Sequence, residues 1–315
     1  MPSSAVQTFS DPDEYAAALR AANTEFTVTG RGQFTAKLVR IDLHRLWVQR
    51  ASDNLPRIAH PTNIAGRAIV SFRTGPGPSL LTDGLEMQPT DIVRHSDGQG
   101  YYRRSSGLAA YASMSLPVEE MVSHGAAIAG IDLTPPQDPL IHTPPASAMV
   151  RLQRLHAAAG RLAENAPEII ANPDAARGLE QALIEAVLGC LDDRDARAPR
   201  LAQGQHAIVM RRFHQVVEES PGDPLYIPEM CKAIGVSEST LRMCCREPLG
   251  MAPKRYLWLR RMALTRRALR RTEPRATSVT ATATRYGFWE LGRFAVEYQR
   301  LFGESPSATL HRSPD

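Results

Sequence analysis

The spacing of apolar positions changes character twice along this chain. Near the start, DPDEYAAALRAA (residues 11–22) predicts a short helix, capped by Asp11 and with Pro12 in its first turn. From Phe26 to about Leu116 the pattern becomes short strand-like runs, FTVTG, FTAKLVRIDL, RLWVQRA, RAIVSFRT, DIVRHS and YYRRSS, parted by turn clusters such as RTGPGPS and SDGQG. Several short strands between Gly/Pro turns predict a β-barrel or sandwich. The proline-rich stretch TPPQDPLIHTPPAS (134–147) is expected to be a linker or rim segment.

Beyond it the period is helical. Residues 148–165 align Met149, Leu152, Leu155, Ala159 and Leu162. Residues 175–191 align Leu179, Ala182, Leu183, Ala186, Val187, Cys190 and Leu191 on one stripe. That stripe has to be buried, either on the β region or against the same helix of a second subunit. DDRDARAPRLAQGQ (192–205) follows as a charged, flexible connection.

From His206 onward every segment is patterned as helix. IPEMCKAI begins with Pro228, at a first turn where its missing N–H has no helical partner, and ends at Gly235. Ser237 then stands where it can cap the next helix, VSESTLRMCCRE, through the amides of Ser239 or Thr240. Helix, glycine turn and Ser-capped helix make a helix-turn-helix pattern, whose second helix enters the DNA major groove. The arrangement recurs in SVTATATRYGFWELGRFAVEYQRLFG: Gly287 allows the turn, Phe288 pins the two helices, and Phe294 and Tyr298 lie one turn apart on a buried side. Between the two units, KRYLWLRRMALTRRALRR forms one connecting helix, with arginine pairs expected opposite its apolar stripe.

Charge sharpens this division. Residues 201–315 hold 18 Lys+Arg against 11 Asp+Glu, a net of +7, and the remainder holds 19 against 22, a net of −3. No acidic residue lies between Glu247 and Glu273, while Lys254, Arg255, Arg260, Arg261, Arg266, Arg267, Arg270 and Arg271 fall there. A basic module joined to a mildly acidic one points to a polyanion partner, double-stranded DNA, for the C-terminal third. A solvated helix face would give the same charge run.

The motifs together resemble the arabinose-operon regulator (AraC/XylS) family of bacterial transcription regulators. GFWELGRFAVEYQRLFGESPSATL is similar to that family's second helix-turn-helix and its closing Phe-Gly-x-x-Pro, here Phe302, Gly303 and Pro306. IGVSESTLRMCCREPLGMAPKRYLWLRRMALTRRAL is similar to the first unit, with Cys245 where the family usually has Phe. GRGQFTAKLVRIDLHRLWVQRASDNLPR resembles the sensor domain of a branch that includes the ethanolamine-operon regulator.

The resemblance implies an α+β chain. Residues 1–200 would form a β-barrel, cupin-like sensor and dimerisation domain (β-rich 26–116, helices 148–191). Residues 201–315 would form an all-α DNA-binding domain with helix-turn-helix motifs at 227–248 and 279–302. Carried over by position, Ser239, Thr240, Arg242 and Met243 of the first recognition helix face the DNA bases, with Arg246 nearer the backbone. In the second, Leu291, Gly292, Ala295 and Val296 do so, with Arg293 alongside. Lys254, Arg260, Arg261, Arg266 and Arg267 are candidates for phosphate contact.

For an effector in the N-terminal domain, Trp47, His60, Phe72, His95 and Tyr101 are candidate pocket residues, and each would equally serve as core or surface. A cupin-like metalloenzyme is the enzymatic alternative, but His44, His60, His95 and His124 are scattered, and no Gly-x-Ser-x-Gly elbow or Walker loop is present. Neither catalysis, a metal nor a cofactor is therefore expected. The four cysteines form no CxxC pair and are expected as reduced thiols in the core.

No run of about 18 apolar residues occurs, and the first residues lack a secretory pattern, so a cytoplasmic protein is expected. A small-molecule-controlled activator, working as a homodimer and with RNA polymerase as a further candidate partner, is the reading these features support. A sensor domain that recognises another protein is the alternative.

Overall fold

The structure is a computed structural model that describes residues 1–315 apart from 76, 192–204, 221, 274–275, 313–315 and the side chains of 205 and 207. Among the described residues the N-terminal part is built on twelve strands: β1 (Ser3–Phe9), β2 (Ala22–Val28), β3 (Ala36–Asp42), β4 (Trp47–Asp53), β5 (Arg57–Asn63), β6 (Arg67–Arg73), β7 (Leu80–Thr82), β8 (Leu85–Met87), β9 (Ile92–Arg94), β10 (Arg103–Ser105), β11 (Ala109–Pro117) and β12 (Leu140–His142). They form two antiparallel sheets, ordered β1-β3-β4-β11-β6-β9-β12 and β2-β5-β10-β7-β8, which do not close into a barrel. The expected α+β class stands, with a sandwich of open sheets in place of a closed barrel.

Helix α1 (Pro12–Ala18) lies between β1 and β2. As its sequence predicts, Asp11 caps it, accepting from the amides of Asp13 at 2.9 Å and Glu14 at 3.1 Å. The proline-rich stretch is more than a linker, because its centre is β12, which pairs with β9 in the register Ile141↔Val93. After α2 (Val118–His124) and one π-helical turn at Gly125–Ala129 come α3 (Ala146–Asn165), α4 (Pro167–Ala171) and α5 (Pro173–Leu188).

The stripe of α5 is satisfied within the chain. Leu183, Ala186, Val187, Cys190 and Leu191 are buried in one core with Val48, Phe72, Met114 and Leu152 of the large sheet and α3. A second core fills the space around Tyr15, Phe26, Leu38 and Val93. The expected connection at 192–205 lies almost wholly outside the described residues. The C-terminal part is all helix: α6 (Gln205–Glu218), α7 (Ile227–Ile234), α8 (Glu238–Leu249), α9 (Pro253–Arg271), α10 (Val279–Arg285), α11 (Leu291–Phe302) and α12 (Pro306–Leu310).

No helix among the described residues is long and apolar enough to cross a membrane. The four cysteines are free thiols; burial pushes that of Cys190 up to about 12 and raises that of Cys245, which suits packing and not nucleophilic chemistry.

Candidate nucleic-acid interface

Two helical hairpins are arranged alike. In the first, α7 stops at Gly235, which takes the left-handed conformation (φ 79°), and Ser237 caps α8 by accepting from the amide of Thr240 at 3.2 Å. In the second, α10 is capped by Ser278, and Gly287 (φ 76°) turns the chain. The positive φ favours glycine here, and a Cβ at this position would also have to push the Tyr226 hydroxyl aside. Phe288 packs on Phe294 with ring centroids 4.9 Å apart, and Phe294 on Tyr298 at 5.5 Å, which fixes α11 against α10 as the sequence predicts. Leu241, Cys244, Cys245 and Leu249 seat α8 in the core of the first hairpin.

Once these faces are buried, the opposite faces point to solvent. On α8, Ser239, Arg242, Met243 and Arg246 are exposed and Thr240 is half-buried; on α11, Leu291, Gly292, Arg293 and Val296 are exposed. Arg242 reaches Glu238 at 3.2 Å, an exposed i,i+4 pair worth little against a better acceptor. Arg293 is held between Glu290 at 3.5 Å and Glu297 at 3.3 Å.

Residues 230–312 match the family model described as a helix-turn-helix domain. This region is similar to the helix-turn-helix domains of AraC/XylS-type regulators. Over 153 residues, 48% of this chain and 46% of the relative, the chain is 33% identical to the probable thc operon regulatory protein of Rhodococcus erythropolis. Over 101 residues, 32% of this chain and 30% of the relative, it is 33% identical to the XylDLEGF operon transcriptional activator 1 of Pseudomonas putida. These matches span less than half the length of either relative. Among solved structures, the AraC-like transcriptional activator CuxR aligns with 82% of this chain and 94% of its own, at 14% identity and a TM-score of 0.44.

In this helix-turn-helix region the arginines of α9 depart from the sequence expectation. Lys254 is exposed at its start, but Arg260 is only 1% exposed. It makes two bonds to Glu25 of β2, at 2.7 and 3.1 Å, and donates to the carbonyls of Ser220 at 2.6 Å and Asp223 at 2.7 Å. Arg266 is buried with Asp11 at 2.5 Å, and Arg267 grips Asp13 at 2.6 and 2.9 Å. Arg270 holds Asp11 and, at 2.7 Å, Glu14. Arg261 lies 4.7 Å over Tyr226 and 5.4 Å over Phe288, joining the two hairpins. Arg260, Arg261, Arg266 and Arg267 are therefore not an open phosphate-binding face. Their acidic partners, Asp11, Asp13 and Glu25, were missed by sequence reasoning, although the opposite net charges of the two parts were the available signal.

The two parts also share an apolar contact. Ile58 and Tyr102 from the small sheet enter the core of the first hairpin, with Tyr102 edge-on to Tyr256 at 5.7 Å and to His214 at 4.3 Å. Burial lowers the imidazole pKa of His214 to about 4, and its Nδ1 donates to the Gly100 carbonyl at 3.1 Å.

The five pocket candidates do not converge. Trp47 opens the interior strand β4 with the Arg67 guanidinium 3.6 Å from its ring centroid, and Phe72 packs beneath α3 against His156. His60 faces His214 across the boundary between the two parts. Only His95 and Tyr101 meet, stacked at 4.4 Å in a polar layer between the sheets, where Ser71 lies 2.7 Å from His95 Nε2 and Arg103 bonds both Ser71 and Tyr101. Among the described residues no group of three His, Cys, Asp or Glu is placed to hold a metal ion.

Proposed function

We propose that this chain is a sequence-specific DNA-binding transcription regulator, an activator whose N-terminal part senses a small molecule in the cytoplasm. The observation that carries it is the pair of like hairpins, each with a buried aromatic or apolar face and a solvent-facing recognition helix, within an AraC/XylS-type domain. Both curated relatives are named as operon regulators, one of them as an activator. Residues 1–200 and 201–315 are proposed as the sensor and DNA-binding domains. Homodimerisation and contact with RNA polymerase belong to the same proposal.

A crevice of about 470 Å³ at the boundary of the two parts supports an effector site. It is lined by Glu25, His60 and Thr62 from the sheets and by Glu218, Arg267 and Arg271 from the helices. His60 Nε2 is buried there without a hydrogen-bond partner, 3.9 Å from Glu218, and burial lowers its pKa well below the ordinary value, which keeps it neutral near pH 7. A ligand in this crevice would touch both parts at once. A protein partner on the sensor part remains the second reading.

Two measurements test DNA binding. Selection of bound duplexes from a random pool should return sites with one sharply specified half, because Arg242 offers a fork of donors to guanine O6 and N7 while α11 offers Leu291, Gly292, Ala295 and Val296. Arg242→Ala should cost about 1–3 kcal/mol and relax one or two base positions. A sharp half that survives this change would show the assignment to be wrong.

The second measurement is salt dependence. Lys254→Ala and Arg246→Ala should each reduce the slope of log K against log salt by about 1. Arg266→Ala with Arg267→Ala should leave the slope unchanged, because their charges are already taken by Asp11 and Asp13. A flattened slope in that double variant would mean that the pairs open when DNA binds.

A further inference from the structure

The most exposed aromatic side chain of the C-terminal part sits at the mouth of its second recognition helix. Trp289, in the turn before α11, is 77% exposed, whereas Phe288 beside it and Phe213, Tyr256, Phe294 and Tyr298 are buried. An isolated exposed apolar residue is ordinary, although an indole left in water forfeits the stabilisation its burial would bring. Trp289 is not isolated: Leu291 is 36% and Val296 51% exposed, at the start of α11 and five residues on.

The buried side of α11 is set by Phe294, Tyr298 and Leu301; Gly292 and Val296 lie opposite it, with Leu291 and the half-buried Ala295 on its flank. Arg285 and Arg300 flank this face, both exposed and without an ion pair among the described residues, and the acids Glu290 and Glu297 are occupied by Arg293. An apolar face rimmed by free cations complements a surface that is anionic at its edges and carries apolar groups in its middle. The major groove of DNA is such a surface. Phosphates border it, and the only apolar feature of its floor is the C5 methyl of thymine.

We propose that Trp289 is a sequence-reading residue of the second hairpin, its indole meeting thymine methyl groups in the major groove together with Leu291 and Val296. The inference rests on the reading that this domain binds duplex DNA, and it adds a residue and a chemical target. The indole supplies a large, rigid contact at low conformational cost, and α11 presents Arg293, paired with Glu290 and Glu297, as the strongest donor beside it.

The test uses the full chain and a duplex chosen by selection from a random pool, with thymines of the second half replaced one at a time by deoxyuridine, which removes only the methyl. Wild type should lose about fourfold in affinity at each contacted thymine, the value of roughly 0.8 kcal/mol per apolar carbon. Trp289→Ala should bind the thymine duplex about tenfold more weakly and lose its sensitivity to deoxyuridine at the thymine that the indole meets, while keeping it at any thymine met by Leu291 or Val296, at an unchanged melting temperature. Trp289→Phe should retain part of the thymine preference. The fluorescence difference between wild type and Trp289→Phe should be quenched or shifted by the duplex.

A Trp289→Ala protein with wild-type affinity and undiminished thymine sensitivity overturns the proposal. If that variant binds DNA normally but fails to activate transcription with purified RNA polymerase, the indole docks on the polymerase, which overturns it as well. A wild-type chain that selects no sequence would sink the DNA-binding reading itself, an outcome distinct from a silent Trp289.

Discussion

Exchange of Asp11 for alanine is expected to destabilise the folded chain by about 3–5 kcal/mol, the cost of stripping the partner from a buried ion pair, plus ~1 kcal/mol for the lost helix cap. One oxygen of this carboxylate caps α1, and the other receives Arg266 and Arg270 from α9. Removal would leave Arg266 buried with Glu304 alone, at 3.3 Å. Asp11→Asn keeps an oxygen for the cap and removes only the charge, so it should recover about the cap's share. Burial pushes the Asp11 carboxyl up, but Arg266, the Glu14 amide and Arg270 outweigh burial and hold its pKa below the ordinary carboxylate value. With the folded pKa depressed, the contribution is fully present above the unfolded pKa of about 3.9 and is lost as pH falls through the folded value. Urea unfolding should therefore show wild type and Asp11→Asn well separated at pH 7 and converging below about pH 4. Equal stability at pH 7 would mean that this carboxylate does not hold the two parts together.

The same residue shows what could be read from the chain and what could not. The cap of α1 was legible, because Asp11, Pro12 and the amides they serve lie within four positions. So were Gly287, Phe288, Phe294 and Tyr298, whose contacts are all made within about one hairpin. The pairing of Asp11 with Arg266 spans 255 positions and leaves no local trace, so the sequence alone makes the run of arginines look available to DNA, whereas most of it is spent on the N-terminal part. Strand β5, RIAHPTN, was missed for a related reason. It contains Pro61 and has no alternation, because one face meets its own sheet interior and the other includes Ile58 and His60, which face α6 and the first hairpin. A segment buried on both sides by partners distant in sequence has neither period 2 nor period 3.6. Strand β11, AAYASMSLP, was passed over within the β-rich span because its small residues carry little apolar signal, although it sits at the centre of the large sheet between β4 and β6. The pocket candidates scattered for the complementary reason: strand periodicity places a side chain on a face, but which face looks at the other sheet, at α3 or at α6 is decided by how the layers stack.

Exchange of Leu183 for glutamate is expected to unfold the N-terminal part, and not simply to separate two subunits. The stripe of α5 could have been buried by the same helix of a partner, in which case a charge at Leu183 would have yielded a stable monomer. In the structure Leu183 is completely buried, and Ile184, Ala186, Val187 and Leu188 beside it share a core with Val48, Phe72, Met114 and Leu152. Truncating a buried leucine costs about 2.7–5.0 kcal/mol through lost transfer energy and the cavity left behind. A glutamate must in addition bring a carboxylate into that core without a partner, which costs several kcal/mol more or forces the group to stay protonated. Against a net stability of roughly 5–15 kcal/mol, the change removes most or all of the folded population of that part. Circular dichroism and thermal melting of the full chain should show loss of the sheet signal, and sedimentation should show aggregation or expansion. A homodimer, if formed, has to use side chains that this core leaves free, such as Val150 on α3 and Ile169 on α4, both exposed. Glutamate at either position should leave the melting temperature nearly unchanged, so any shift in sedimentation there reports association alone. A Leu183→Glu protein that folds and melts like wild type as a monomer would show that α5 meets a partner helix in solution, and that its packing on the large sheet is not what holds the N-terminal part together.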